Sequence, residues 1–137
     1  MMPVRPPTEQ ELTDPAEACD YAADVLHGRF PAGEQAVLKD AYYAAFYAIY
    51  VLERRWPEAE PIIARDSNAA WRYTRDVIKG RWLPGEKVIM SSKYHAEWYT
   101  DMLKKRDPEG YAEFQLEHGD WSPSKVAETA LTLARRI

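Results

Sequence analysis

A self-match at a spacing of 26 residues constrains this chain more than any other feature. Tyr21, Tyr47, Tyr73 and Tyr99 fall in register, as do Ala18, Ala44, Ala70 and Ala96. Further columns are Val25, Val51, Val77 and Leu103; Leu26, Leu52 and Ile78; and Val37, Ile63 and Ile89. Phe30, Trp56 and Trp82 follow Arg29, Arg55 and Arg81, and Glu34, Glu60 and Glu86 come four residues after the aromatics. A unit of this length cannot bury an apolar face alone, so copies must stack on one another.

Each column has a physical reason. Ala18, Tyr21, Val25 and Leu26 are spaced i, i+3, i+7 and i+8, one face of an α-helix. Asp14, Asp40, Asp66 and Ser92 precede that face, and all four are residue types that accept the free amide protons of a first helical turn. Pro15 suits the first helical position, and Glu17 completes a capping box in copy one. Gly28 and Gly80 stand where the helix should end in a left-handed residue. Pro31 and Pro57 open a second, shorter helix whose first turn carries the column glutamates.

The spacing therefore predicts long helices over 15–27, 41–54, 67–79 and 93–106, and short ones over 32–38, 58–64 and 84–91. The expected fold is all-α: a short α-solenoid-like array of four helix-turn-helix repeats over 12–106. Residues 1–11 are expected as a flexible Pro-rich tail. After residue 106 the register fails. A short helix over 111–117 and a final helix after Ser122-Pro123 are expected, the latter carrying Val126, Ala127, Ala130, Leu131 and Ala134 and capping the array within 107–137.

The runs 47–63 and 73–89 resemble a tandem helical repeat of uncharacterised bacteriophage and bacterial proteins, whose pattern is close to Tyr-Ala-x-x-Val-Ile-Lys-Gly-Arg-Trp-Pro-Glu-Ala-Glu. The resemblance spans about residues 12–106. It implies an origin in mobile or phage DNA and names no activity. Copy two departs from it at Arg54, where the glycine is lost, and copy four lacks the Gly-Arg-Trp-Pro turn.

A polar residue present in every copy serves the repeat itself. The Arg and Glu columns are expected to pair within each repeat, and the tyrosines to lie in the core with their hydroxyls at a polar edge. Function should sit where copies differ. At the positions of Glu17, Asp20 and Asp24 in copy one, copy three has Ala69, Arg72 and Asp76. Copy two has Tyr43, Phe46 and Tyr50 there, and copy four has His95, Trp98 and Met102. Aromatics on a face that is polar in other copies are interface anchors, so Tyr43, Phe46, Tyr50, Trp98 and Met102 are candidate protein-binding residues. The alternative is burial of that stripe beneath the C-terminal helix or the 107–121 segment.

Charge supplies a second contrast. The net charge of −4 conceals −6 over residues 1–71, +5 over 72–106 and −3 over 107–137. Arg72, Arg75, Lys79, Lys87, Lys93, Lys104, Lys105 and Arg106 are candidate nucleic-acid contacts on a basic side, with Trp71, Tyr94 and Trp98 near for stacking. The same sign separation favours self-association or an electrostatically chosen partner.

Catalytic signatures are weak. His27, His95 and His118 occupy unrelated repeat positions, Ser91-Ser92 lacks a nucleophile-elbow context, and no Gly-rich phosphate loop occurs. The single cysteine, Cys19, excludes an internal disulfide and a multi-cysteine zinc site. No catalytic, cofactor-binding or metal-binding residue is assigned. Residues 1–10 contain no apolar leader segment, and no apolar run reaches the 18 or more residues of a membrane span. The reading is a non-enzymatic protein-binding module of phage type, in the cytoplasm of a bacterial host, that binds or inhibits a host protein of the defence or transcription machinery. A nucleic-acid-binding protein and a self-assembling structural repeat are the alternatives. No membrane partner is expected.

Overall fold

The computed structural model describes residues 4–119 and 123–135, and every regular element in them is helical. Each repeat begins with an α-helix: α2 (Pro15–Asp20), α4 (Ala41–Tyr47) and α6 (Ser67–Tyr73). Each of these runs without a break into a π-helical turn, Tyr21–Leu26, Ala48–Leu52 and Thr74–Ile78 respectively. Asp14, Asp40 and Asp66 cap the three starts, accepting from the amides of Glu17, Tyr43 and Ala69. A 3-10 turn then leads into a short helix in the first two copies: Pro31–Gly33 into α3 (Glu34–Val37), and Pro57–Ala59 into α5 (Glu60–Ile63). In copy three one helix, α7 (Leu83–Met90), replaces both.

The fourth long helix, α8 (Lys93–Arg106), is α-helical throughout, and its N-cap Ser92 makes no side-chain capping bond. The long helices pack side by side in sequence order, α2 on α4, α4 on α6 and α6 on α8, with each short helix against its own long one. The column alanines Ala18, Ala44 and Ala70 are fully buried, so small side chains let successive long helices approach closely. Tyr47, Tyr73, Tyr99, Val37, Ile63, Ile89 and Leu103 complete the interior.

The left-handed residue of each turn lies one place before the expected glycine. His27, Glu53 and Lys79 have φ of 53°, 54° and 61°, and no glycine among the described residues has positive φ. The π turn holds one extra residue, so the reversal falls on the position before the glycine. The amides of His27 and Gly28 both donate to the Ala22 carbonyl, and those of Glu53 and Arg54 to that of Ala48. A side chain at position 28 would meet only the Leu26 carbonyl oxygen at 4.0 Å, which explains why copy two accommodates Arg54.

The ends of the array differ from the expected tail and cap. Residues 4–13 are not a free tail: α1 (Glu9–Thr13) starts at a capping box between Thr8 and Glu11 and packs on α2. The capping box expected at Asp14 and Glu17 therefore stands at Thr8 and Glu11 instead. At the other end, α9 (Pro108–His118) follows α8 directly and packs against it. Asp107 caps α9 through the Gly110 amide while also accepting from the Arg81 amide at 2.9 Å. Thus α9, not the last helix, closes the fourth repeat. The last helix, α10 (Pro123–Ala134), packs on α9, and its Ala127, Ala130, Leu131 and Ala134 are exposed. Val126, Trp121 and Ser122 lie outside the described side chains. No helix among the described residues is long and apolar enough to cross a membrane.

Candidate docking face

The repeated polar columns form one interlock, used three times. Arg29, Arg55 and Arg81 each hold the glutamate five residues on, Glu34, Glu60 and Glu86, through two parallel bonds of 2.7–2.9 Å. The tyrosine hydroxyl of the next repeat closes each pair. Tyr47, Tyr73 and Tyr99 donate to Glu34, Glu60 and Glu86 at 2.7, 2.5 and 2.5 Å. They accept from the backbone amides of Phe30, Trp56 and Trp82. The rings of Tyr47 and Tyr73 also lie on Trp56 and Trp82, at 4.9 and 5.1 Å between centroids.

Burial pushes Glu34 and Glu86 up, but the arginine and tyrosine bonds outweigh it and hold both below the ordinary carboxylate value. Glu60 is lowered chiefly by Arg55. The three tyrosines are raised, first by burial and also by donating to a carboxylate. The columns expected to serve the repeat thus hold one copy to the next.

Both ends repeat this chemistry with other residues. At the N-terminus Arg5 pairs with Glu11 at 2.6 and 2.8 Å, and the Tyr21 hydroxyl donates to the Arg5 carbonyl. Glu11 is held down to about 2, mainly by Arg5 and the Thr8 amide. At the C-terminus Arg81 also donates to Glu117 at 2.6 Å, and α9 leaves its side chain only 7% exposed, against 57% for Arg55. Glu86, Glu117 and His118 bring three metal-type donor atoms within 4.8 Å of one another. The Arg81 guanidinium already bonds both carboxylates, so this cluster is an ion-pair network built around a resident cation. Cys19 is buried and its thiol is pushed up to about 12, first by burial, so it has no thiolate character at neutral pH.

The surface that the interlock leaves unused lies on the outer face of the long helices. Tyr50 and Trp98 are 56% and 50% exposed. Tyr43 and Phe46 are half-buried, with Phe46 against Tyr50 at 4.7 Å. Met102, expected as an anchor, is instead in the core at 6% exposure. Helix α8 lacks the π turn of the other copies. One inserted residue turns the remainder of a helix by about 100°, so without it residue 102 points inward where Tyr50 points out.

Two exposed aromatics outside the expected protein-binding anchors, Tyr42 and Tyr94, extend the face. Trp71, expected with Tyr94 for stacking, lies beneath it in the core at 7% exposure. Trp71 lies 6.3 Å from Trp98, Tyr94 lies 6.4 Å from Trp98, and Tyr42 packs edge-on against Tyr43 at 5.0 Å. Tyr42 and Tyr94 share a column with Ala16 and Asn68, a copy-to-copy contrast that could have singled them out.

The basic residues divide. Arg72 stacks over Tyr42, Arg75 over Trp71, and Arg106 donates to the Arg75 carbonyl, so all three join the aromatic face. Trp71, Arg75, Trp98, Met102, Lys105 and Arg106 line a depression of about 300 Å³ with Asp101. Arg75 is paired with Asp76 at 2.8 Å and Lys105 with Asp101 at 3.0 Å. The others are elsewhere: Lys79 is a left-handed cap, Lys87 lines a hollow with Ala64 and Pro84, Lys93 starts α8, and Lys104 lies over Tyr111. No single surface gathers the eight.

No family model, curated protein or solved structure matches this chain.

Proposed function

We propose that this protein is a non-enzymatic protein-binding module whose docking surface is the outer face of the long helices. One observation carries the reading: Tyr50 and Trp98 stay half exposed at positions where copy one has the solvated Asp24 and Asp20. Exposed aromatics beside arginines match the composition of binding hot spots. The titratable groups of the interior support a non-catalytic role, because the column arginines, glutamates and tyrosines are consumed in holding the repeats together. The tandem-repeat resemblance implies an origin in mobile or phage DNA, and the reading we draw with it is a phage-type accessory protein whose external partner is a host protein.

The nucleic-acid alternative has less support. Arg75 and Lys105 are already neutralised by Asp76 and Asp101, which leaves the face only Arg72 and Arg106 as cations without an acidic partner among the described residues. A binder making six to ten phosphate contacts needs more.

Affinity capture from bacterial lysate with wild type and the Tyr50→Ala/Trp98→Ala double variant tests the reading. Circular dichroism checks the fold of both. The variant should lose captured partner at least tenfold while keeping wild-type helicity. Equal capture by a folded variant would remove the face from the account.

A further inference from the structure

On the short-helix side of the stack an open groove of about 450 Å³ runs between the end of α5 and helix α7. Ala64, Pro84 and Val88 give it an apolar part, and Arg65, Lys87 and Ser91 line it with them. Pro84, Val88 and Ser91 are spaced i, i+4 and i+7, so one face of α7 forms a wall. Leu83 and Met90 belong to the adjoining face of α7 and line a separate hollow beside Glu117, outside the groove.

The copies differ at this junction in a concerted way. At the equivalent positions between copies one and two the chain has Leu38, Glu58 and Pro61, where the groove has Ala64, Pro84 and Lys87. Ala64 in place of Leu38 removes an isopropyl group that would fill the space. Pro84 in place of Glu58 removes an acid, and Lys87 in place of Pro61 adds a cation. All three exchanges make the junction between copies two and three more open or more positive, and none is needed by the Arg–Glu–Tyr interlock, which both junctions share.

Arg65 and Lys87 are exposed and make no ion pair or side-chain hydrogen bond among the described residues. The acids on the surrounding elements are engaged elsewhere. Glu60 holds Arg55 and Tyr73, Glu86 holds Arg81 and Tyr99, and Glu117 holds Arg81. Asp66, next to Arg65, caps α6 through the Ala69 amide. The Ser91 hydroxyl donates to the Val88 carbonyl at 2.5 Å, so its oxygen is left to accept a hydrogen bond.

We propose that this groove is a second binding site, for a short acidic segment of a partner protein. The segment sets one apolar side chain on Ala64, Pro84 and Val88, carboxylates on Arg65 and Lys87, and a backbone N–H on the Ser91 oxygen. The arginine fork matches a carboxylate, and the accepting hydroxyl matches a peptide amide. Four of the six lining residues, Arg65, Pro84, Lys87 and Ser91, are exposed. An open groove suits a chain that passes through it better than a small molecule, which a pocket encloses on most sides. The eight residues of α7 span about 12 Å, the length of three to four extended residues. Two cations displace too few counterions to hold a nucleic acid, and the apolar part of the groove would go unused.

Amide chemical shifts of the full chain, titrated with acetyl-Glu-Glu-Leu-Glu-Glu-amide to about 3 mM, test the site. The amides of Ala64, Arg65, Lys87, Val88 and Ser91 should move together, less as salt rises. The all-Gln peptide should bind at least about tenfold more weakly. Arg65→Gln/Lys87→Gln should weaken the acidic peptide by about the same factor. Ala64→Leu, which installs the residue of copy one, should also weaken it with no change of charge. Lys39→Gln, the counterpart of Arg65 at the first junction, should leave binding as in wild type. Circular dichroism checks the fold of each variant, and the double glutamine variant lies wholly at exposed positions. No concerted shift, a Lys39→Gln loss equal to that of Arg65→Gln/Lys87→Gln, or full binding by a folded Ala64→Leu overturns the proposal. So does a ten-nucleotide oligothymidylate that moves the same amides as strongly as the peptide. Tyr50 and Trp98 lie outside the groove, so each of these outcomes is separate from the capture result for the docking face.

Discussion

The hydroxyl of Tyr73 lies 2.5 Å from Oε2 of Glu60, and the same hydroxyl accepts from the amide of Trp56 at 2.9 Å. One side chain therefore bonds the half-buried Glu60 carboxylate and a buried amide of the preceding repeat. Tyr73→Phe strands the Trp56 amide and takes one bond from Glu60, which keeps its Arg55 pair, and an unsatisfied buried group costs about 1–3 kcal/mol. Urea unfolding should show Tyr73→Phe destabilised by about 2 kcal/mol. Tyr21→Phe, which loses only a bond to the Arg5 carbonyl, should lose about 1 kcal/mol.

The three arginines of the interlock make the same bidentate pair in different surroundings. Arg81 is 7% exposed and carries Glu86 and Glu117, whereas Arg55 is 57% exposed. Removing one partner of a buried pair costs about 3–5 kcal/mol, while an exposed pair contributes about 0–1 kcal/mol. Arg81→Ala should therefore lower the urea midpoint severalfold more than Arg55→Ala. Equal shifts would show that α9 does not seal the third pair.

Stability should fall at both pH extremes, for different residues. Glu11, Glu34, Glu60 and Glu86 are depressed from the ordinary 4.5. Their contribution is complete above about pH 4.5 and is lost as pH falls through the depressed values, to about 2 for Glu11. Tyr47, Tyr73 and Tyr99 are raised from the ordinary 10, so their contribution is complete below about pH 10 and is lost as pH rises. Thermal melts across pH should show a plateau between these limbs. Glu60→Gln should flatten the acid limb and Tyr73→Phe the alkaline one.

The turn geometry separates two positions that look alike in sequence. Lys79 has φ of 61°, so Lys79→Gly should stabilise by up to about 1 kcal/mol. Gly28→Ala should be tolerated, because the space there is open. Gly80→Ala should destabilise, since its Cβ would sit 3.0 Å from the Asp107 carboxylate that holds the Arg81 amide. Thermal midpoints of the three variants check the order.

Much of the helix order was legible because the 26-residue columns repeat both the caps and the apolar face. Asp14, Asp40 and Asp66 announce helix starts by chemistry that acts within one turn. The π turns were not legible, since Ala18, Tyr21, Val25 and Leu26 have a spacing that an uninterrupted α-helix also satisfies. That hidden residue explains both the displaced left-handed position and the inward turn of Met102. The Tyr–Glu–Arg interlock was visible as columns, but its reach across 13 residues into the neighbouring repeat depends on packing. The N-terminal closure was missed because Arg5 and Glu11 are six residues apart, not five, and lie outside the repeat register. Thr8 and Glu11 did carry a readable signal, the capping box.

The central claim, that the outer face of the long helices is a contact surface, is tested most directly by hydroxyl-radical footprinting. Tyr50 and Trp98 are compared with Leu83, which is 63% exposed on the short-helix side. Reactivity is read in dilute purified protein, in concentrated protein and in bacterial lysate. Tyr50 and Trp98 should be protected several-fold in at least one of the two crowded samples, with Leu83 unchanged. Reactivity of Tyr50 and Trp98 that stays level with Leu83 in all three would contradict the account.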